Sequence, residues 1–258
     1  MSGFSIWRSG VVGIATRQSR SYFTNPALIL PGLLFPLLFF AANAGGLSQV
    51  DRIPGFDYAP GYTTFQFVFV LFQASMFGGI FIGFAAARDF ETGFARRLML
   101  GTQHRSAILV GYALSAMVRA AFTIAVVTVV ALVAGLNILG SPGQVVALYA
   151  LALLSNILGS LWAMGIALRF QSLSVTPLMQ IPLFILLFLA PVYMPLDLLS
   201  GWIRSAADVN PATFLLEAGR GLLAGTGGFE LAAWLVIIIG GIALGIWSLT
   251  GLRAAETR

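Results

Sequence analysis

Side chains able to do chemistry are few in this chain, so they can be taken one at a time. The densest cluster is Arg88–Ser106, where Glu91, Gly93, Phe94, Arg96, Arg97 and Leu98 set an acid, a glycine and a short amphipathic segment in succession. Phe94, Leu98 and Met99 suit an apolar docking knob, with Arg96 and Arg97 as its charged rim. Signalling of membrane orientation is the competing explanation for these arginines. Farther along, Glu217 and Arg220 stand three apart, which makes them neighbours on a helix and able to pair. Within long apolar runs lie Gln66 and Gln73, seven apart and so on one helix face, together with Asn156, Gln180 and Arg119. Either these line a pathway or they bond between helices, because an unpaired polar group in hydrocarbon is costly.

The chemistry that is missing narrows the function. There is no cysteine, which excludes disulfides, thiolate metal sites and cysteine nucleophiles. His104 is the only histidine and sits in a loop, so neither a Ser–His–Asp set nor a metal cluster can be built around it. All 14 basic residues are arginine. A P-loop needs a lysine on the nucleotide phosphates, so this chain carries no ATPase motif of that kind. The pI near 10.2 could suggest nucleic acid, but the arginines are scattered over short loops rather than gathered on one face; nucleic acid is not an expected partner.

The elements that must position these residues follow from composition. The 258 residues are 59% hydrophobic and only 9% charged, against about 25% charged in ordinary soluble domains. No water-soluble fold hides so much apolar surface behind so few charges. Recurrent uncharged runs of membrane-crossing length predict an all-α polytopic membrane protein that forms one transmembrane domain over 1–258. Six spans are expected, at about Ala27–Ala44, Tyr62–Ala87, Ala107–Leu136, Gln144–Leu168, Thr176–Met194 and Leu231–Leu252.

The first 24 residues do not read as a cleaved leader. Phe4, Trp7, Val11 and Ile14 recur at helical spacing with Arg8, Arg17 and Arg20 largely off that stripe, the pattern of a helix lying in the interface. Small residues every fourth position, Ser75, Gly79, Gly83 and Ala87 in span 2, Ser155, Gly159, Ala163 and Ala167 in span 4, and Gly241 and Gly245 in span 6, mark close helix packing. One side of the membrane holds Arg8, Arg17, Arg20, Arg88, Arg96, Arg97, Arg105, Arg169, Arg253 and Arg258; the other holds only Arg52, Arg204 and Arg220. The positive-inside rule therefore puts both termini in the cytoplasm. Arg119 alone falls within a span. About 18 Å beyond Ala107 at 1.5 Å per residue, it either snorkels to lipid phosphates or faces a cavity.

Two loops carry a family resemblance. Arg88-Asp89-Phe90-Glu91-Thr92-Gly93-Phe94 through Leu100, then Gly101-Thr102-Gln103-His104-Arg105-Ser106 and Gly111, resembles the loop between spans 2 and 3 of ABC-2 type permeases. Gln103 stands where that family often has proline. Pro195-Leu196, Trp202, Asn210-Pro211 and Glu217-Ala218-Gly219-Arg220 are similar to the family's succession between spans 5 and 6, two short outer helices. The resemblance covers nearly the whole chain and is nearest to the daunorubicin-resistance and nodulation-export type.

What it implies is the permease subunit of a type V-like ABC exporter in a bacterial inner membrane. Such a subunit works with a second permease copy or homologue and with separate ATPase subunits that supply ATP and Mg. In that family a helix in the 88–106 loop docks on the ATPase, which assigns coupling to Glu91, Gly93, Phe94, Arg96, Arg97 and Leu98. The outer segment 195–229 is expected to re-enter the membrane and close a gate with Trp202, Asn210, Pro211, Glu217 and Arg220. Gln66, Gln73, Arg119 and Gln180 are the candidate pathway residues, and a drug, lipid or glycolipid is the expected cargo, with a polysaccharide as the alternative. An ion-gradient transporter or channel is the rival class, but it would need carboxylates or broken helices at mid-membrane, and no Asp or Glu falls inside an expected span.

Overall fold

The computed structural model describes residues 3–101, 105–228 and 230–256; Gln103, His104 and Arg258 lie outside them. Among the described residues the regular structure is helical. The α-helices are α1 (Gly3–Thr24), α2 (Pro26–Phe40), α3 (Tyr62–Glu91), α4 (Phe94–Gly101), α5 (Ser106–Val133), α6 (Pro142–Phe170), α7 (Thr176–Phe188), α8 (Gly201–Asp208), α9 (Pro211–Ala224) and α10 (Leu231–Glu256). Helical runs at Pro26–Arg52, Tyr62–Glu91, Ser106–Val133, Pro142–Phe170 and Leu231–Ala255 have the length and apolarity to cross a membrane. They correspond to expected spans 1, 2, 3, 4 and 6.

The expected fifth span is different. α7 has 13 residues, about 20 Å of helix against a hydrocarbon thickness of roughly 30 Å. The apolar run continues to Met194, but Pro191 and Pro195 offer no backbone N–H and disfavour helix in the residues before them. Hydropathy extends past Phe188; the hydrogen-bonded helix does not.

α3 is the central post, buried along nearly its whole length against α6 on one side and α5 on the other. The small-residue stripes explain how α6 comes so close. A Cβ added to Gly79 would stand 2.3 Å from the Asn156 carbonyl oxygen, and one on Gly159 would stand 2.4 Å from that of Met76. Gly83 meets Ala163 in the same way. The stripes of spans 2 and 4 therefore face each other within one chain. The span 6 pair does not serve this purpose: a Cβ on Gly245 would meet nothing within 4 Å, and α10 instead packs on α6 by setting Trp247 against Gly165.

α1 buries Val11, Ile14, Ala15, Gln18 and Tyr22 at helical spacing, whereas Phe4 is exposed. It does not lie apart from the bundle. It runs parallel to the first half of α5, from a Trp7–Ser106 hydrogen bond (3.2 Å) to an edge-on Phe23–Phe122 ring contact. Asn25 then caps α2 by accepting from the Ala27 N–H at 3.1 Å, and Pro26 opens that helix where no N–H is needed.

Candidate functional site

At one end of the bundle three helices converge on a single carboxylate, and a fourth packs on its arginine partner. Asp89, near the C-terminus of α3, accepts two bonds from Arg17 of α1, Nη1 at 2.9 Å and Nη2 at 3.0 Å. It also accepts from Gln18 Nε2 at 2.7 Å and from the Tyr112 hydroxyl of α5 at 2.5 Å. The same Arg17 guanidinium lies 3.7 Å from the centre of the Phe94 ring, the first residue of α4. Arg17 thus clamps α1 to both α3 and α4, and the adjacent Asp89 carboxylate holds its pKa above the usual arginine value. Asp89 was not among the residues singled out from sequence. The signal for it was its register with buried Ile82 and Ala86 on α3, at helical spacing.

α4 presents a different face from the expected one. Gly93 takes φ +73°, the left-handed turn that lets the chain bend from α3 into α4. Ala95 is buried; Phe94, Leu98 and Met99 are half-buried, with Leu98 and Met99 packed on the core. Outward point Arg96, Arg97 and Leu100, the last 87% exposed. Glu91 faces neither way: it accepts from the Ser172 hydroxyl (2.9 Å) and the Leu173 N–H (2.7 Å), fixing the link between α6 and α7. Arg96 reaches Gln171 of the same link at 3.4 Å.

At the opposite end, three successive carbonyls of the irregular segment after α7 are each held by a side chain. Pro191 accepts from Arg220 Nη2 at 2.8 Å, Val192 from Gln66 Nε2 at 2.9 Å, and Tyr193 from the Tyr62 hydroxyl at 3.2 Å. These bonds satisfy backbone that has left the helix, the condition for irregular chain at membrane depth. Arg220 is itself buried, stacked 3.4 Å from the Phe65 ring centre and paired with Glu217 at 2.8 Å. Tyr58 donates to the Arg220 carbonyl at 2.9 Å, and burial pushes its phenol pKa up.

Asn210 caps α9 through the Ala212 N–H at 2.9 Å and donates to the Leu186 carbonyl at 2.6 Å; Pro211 opens the helix. α9 is set into the bundle deeply enough that a Cβ on Gly219 would meet Val68 at 2.7 Å. Trp202 stands outside this group, 75% exposed on α8.

The four candidate pathway residues do not converge. Gln66 belongs to the tie just described. Gln73 is fully buried in α3 with neither amide atom bonded among the described residues, and Gln180 is half-buried on α7. Arg119 lies between α5 and α1, 5.1 Å from the Tyr22 ring centre. What sequence reasoning did not find is an apolar groove of about 650 Å³ between α7 and α10. Met76, Ile80, Leu158 and Trp162 floor it, and Pro211 and Phe214 of α9 border it. Every residue lining it is apolar.

Helical runs of membrane-crossing length, a short latched helix at one end and a tied irregular segment at the other make up a multi-pass membrane domain. The family model described as ABC-2 type transporter matches residues 11–224, and the chain belongs to that family. A search of curated proteins finds no match.

Proposed function

We propose that this chain is the permease subunit of an ATP-driven exporter, pairing with a separate ATPase and with a second permease. The observation that carries the reading is the outward face of α4. A short helix bearing Arg96, Arg97 and Leu100 on its exposed side, anchored through Phe94 and Arg17 to the bundle, is suited to receive force from a partner and pass it to α1 and α3. The family membership and the missing P-loop lysine agree with a motor on another chain. Under this reading both termini and α4 are cytoplasmic, and the irregular segment after α7 completes a sixth crossing in a bacterial inner membrane.

The apolar groove supports a hydrophobic or amphipathic cargo such as a drug, lipid or glycolipid. Its volume is within the range of small-molecule pockets, and its lining side chains carry no hydroxyl, amide or charge to hold a sugar. Arg220, Gln66 and Tyr62 would then act as the outer gate by holding residues 191–193, with Glu217 bracing Arg220 and Asn210 tying α9 to the end of α7. Replacing Leu158 or Phe214 with tryptophan, to fill the groove, should abolish cargo stimulation of ATP turnover by the reconstituted complex while basal turnover persists. Unchanged stimulation by every apolar cargo tried would remove the groove from the transport path.

A further inference from the structure

The apolar groove between α7 and α10 is long, and its two ends are unlike. Ala232, in the first turn of α10, lines it at one end, and Leu244 is the last residue of that helix to do so. They stand about 18 Å apart along the helix at 1.5 Å per residue. That is a little over half of a hydrocarbon core roughly 30 Å thick. With both termini cytoplasmic, α10 starts at the outer surface, so the groove is cut through the outer leaflet's share of the bundle.

The gap exists because α10 packs on α6 and α9, while α7 leans on α3 and α6. Gly240 deepens it: a Cβ there would meet nothing nearer than Leu158 at 3.4 Å. Leu235 and Ile239 belong to the lining and are exposed, so the groove lies open sideways to lipid. Its inner end is shut by Trp162, whose ring stacks on that of Trp247 with centroids 5.9 Å apart. Trp162 Nε1 donates to the Met179 carbonyl at 3.1 Å, and the Arg169 guanidinium lies 3.6 Å from the centre of the Trp247 ring. The outer end has no such stop. It runs out at Ala232, two residues past exposed Glu230.

Pockets for compact small molecules set a few placed polar groups among apolar walls. Here the one polar side-chain atom of the lining, Trp162 Nε1, is already committed to Met179. A drug with amides, hydroxyls or charges would leave each of them unpaired in the groove. A hydrocarbon chain has no such group to leave unpaired. Left empty, the groove would forfeit dispersion contacts along all its walls, and a water molecule would find no partner in it.

We propose that the groove holds one hydrocarbon tail of a lipid, with the tail end against Trp162 and the headgroup at the Ala232 mouth. The inference rests on the export reading and topology above and narrows them: the cargo is a tail-bearing lipid or glycolipid, and it leaves sideways into the outer leaflet.

The full-length chain, purified in detergent without an ATPase, is irradiated with a trace of photoactivatable lysophosphatidylcholine. The diazirine sits either beside the glycerol or at the chain end, and adducts are mapped by peptide mass spectrometry. The chain-end probe should mark Trp162 and Leu244, and the other should mark Ala232 and Leu235. Gly240→Leu, which puts a side chain into the groove, should lose the Trp162 adduct; Gly245→Leu, off the groove, should keep it. Persistence of that adduct in a Gly240→Leu chain that melts like the wild type would overturn the site. Marks in the reverse order along α10 would overturn the orientation. Should Gly240→Leu not fold, competition on the wild type decides. Unlabelled long-chain lysophosphatidylcholine should displace the probe, and equal displacement by glycerophosphocholine, which has the headgroup but no tail, would overturn tail recognition. Because no motor is present, labelling as expected beside unchanged cargo stimulation in the groove-filled complex would uphold the tail site and overturn the transport reading alone.

Discussion

Arg17 and Asp89 are 72 positions apart in the chain and meet in a two-pronged ion pair whose cation also carries the Phe94 ring. One guanidinium therefore ties the N-terminal helix, the central post and the short helix α4 into one mechanical unit. The two partners are not equal. Asp89 is nearly buried and also receives Gln18 and Tyr112, whereas Arg17 is 44% exposed at its side chain.

Asp89→Ala should destabilise the chain more than Arg17→Ala. It strands several donors, each costing about 1–3 kcal/mol when buried without a partner, while the exposed side of the pair adds at most about 1 kcal/mol. Thermal unfolding in detergent ranks the two. Limited proteolysis should cut within α1 first in Asp89→Ala, because α1 loses its anchor there.

The coupling assignment divides α4 into two faces with separable effects. Arg96→Glu with Arg97→Glu, or Leu100→Asp, should leave insertion and melting unchanged and lose the ATPase on co-purification. Phe94→Ala should keep the ATPase but weaken cargo stimulation of its turnover, since the ring transmits rather than docks. Loss of folding in the Arg96 and Arg97 double variant would mean these arginines serve the bundle instead.

Much of this was legible in the sequence. The small-residue stripes marked α3 and α6 as closely packed helices, because close backbone approach leaves a compositional mark at fixed spacing, but not that they pack on each other. Three of the boundary pairs, Asn25-Pro26, Ser141-Pro142 and Asn210-Pro211, fall where helices begin. Asp89 was not legible as an anchor: its partners come from α1 and α5, and a charge beside Arg88 and Glu91 looks like ordinary loop polarity. Leu98 looked outward for a related reason. On an eight-residue helix, sequence gives the angle between side chains but not which side meets the bundle. The groove left no motif, because apolar residues that line a cleft and those that face lipid have the same composition.

Gly79→Val should destabilise the α3–α6 contact severely, since its side chain would start 2.3 Å from a backbone oxygen that cannot move aside. Gly245→Val, which meets nothing, should be nearly neutral. The pair can be compared by expression level and melting temperature in one detergent.

The outer tie can be read by chemistry the native chain does not interfere with, because it holds no cysteine. Single cysteines at 191 or 192, both buried, should be slow to react with a membrane-impermeant maleimide. Arg220→Ala or Gln66→Ala should speed labelling at 191 and 192, as their carbonyls lose their donors. Arg220→Ala should have the larger effect, because it also leaves Glu217 unpaired and the Phe65 face uncovered.

The central claim is that α4 is where this permease meets its motor. A photo-cross-linking amino acid at position 100, activated in cells of the native host, tests it most directly. A single adduct whose partner carries a P-loop sequence, and whose yield changes between ATP-bound and nucleotide-free membranes, is the predicted result; the buried position Ala95 should give none. Position 100 labelled freely by a soluble probe, yet yielding no P-loop partner in either nucleotide state, would contradict the account.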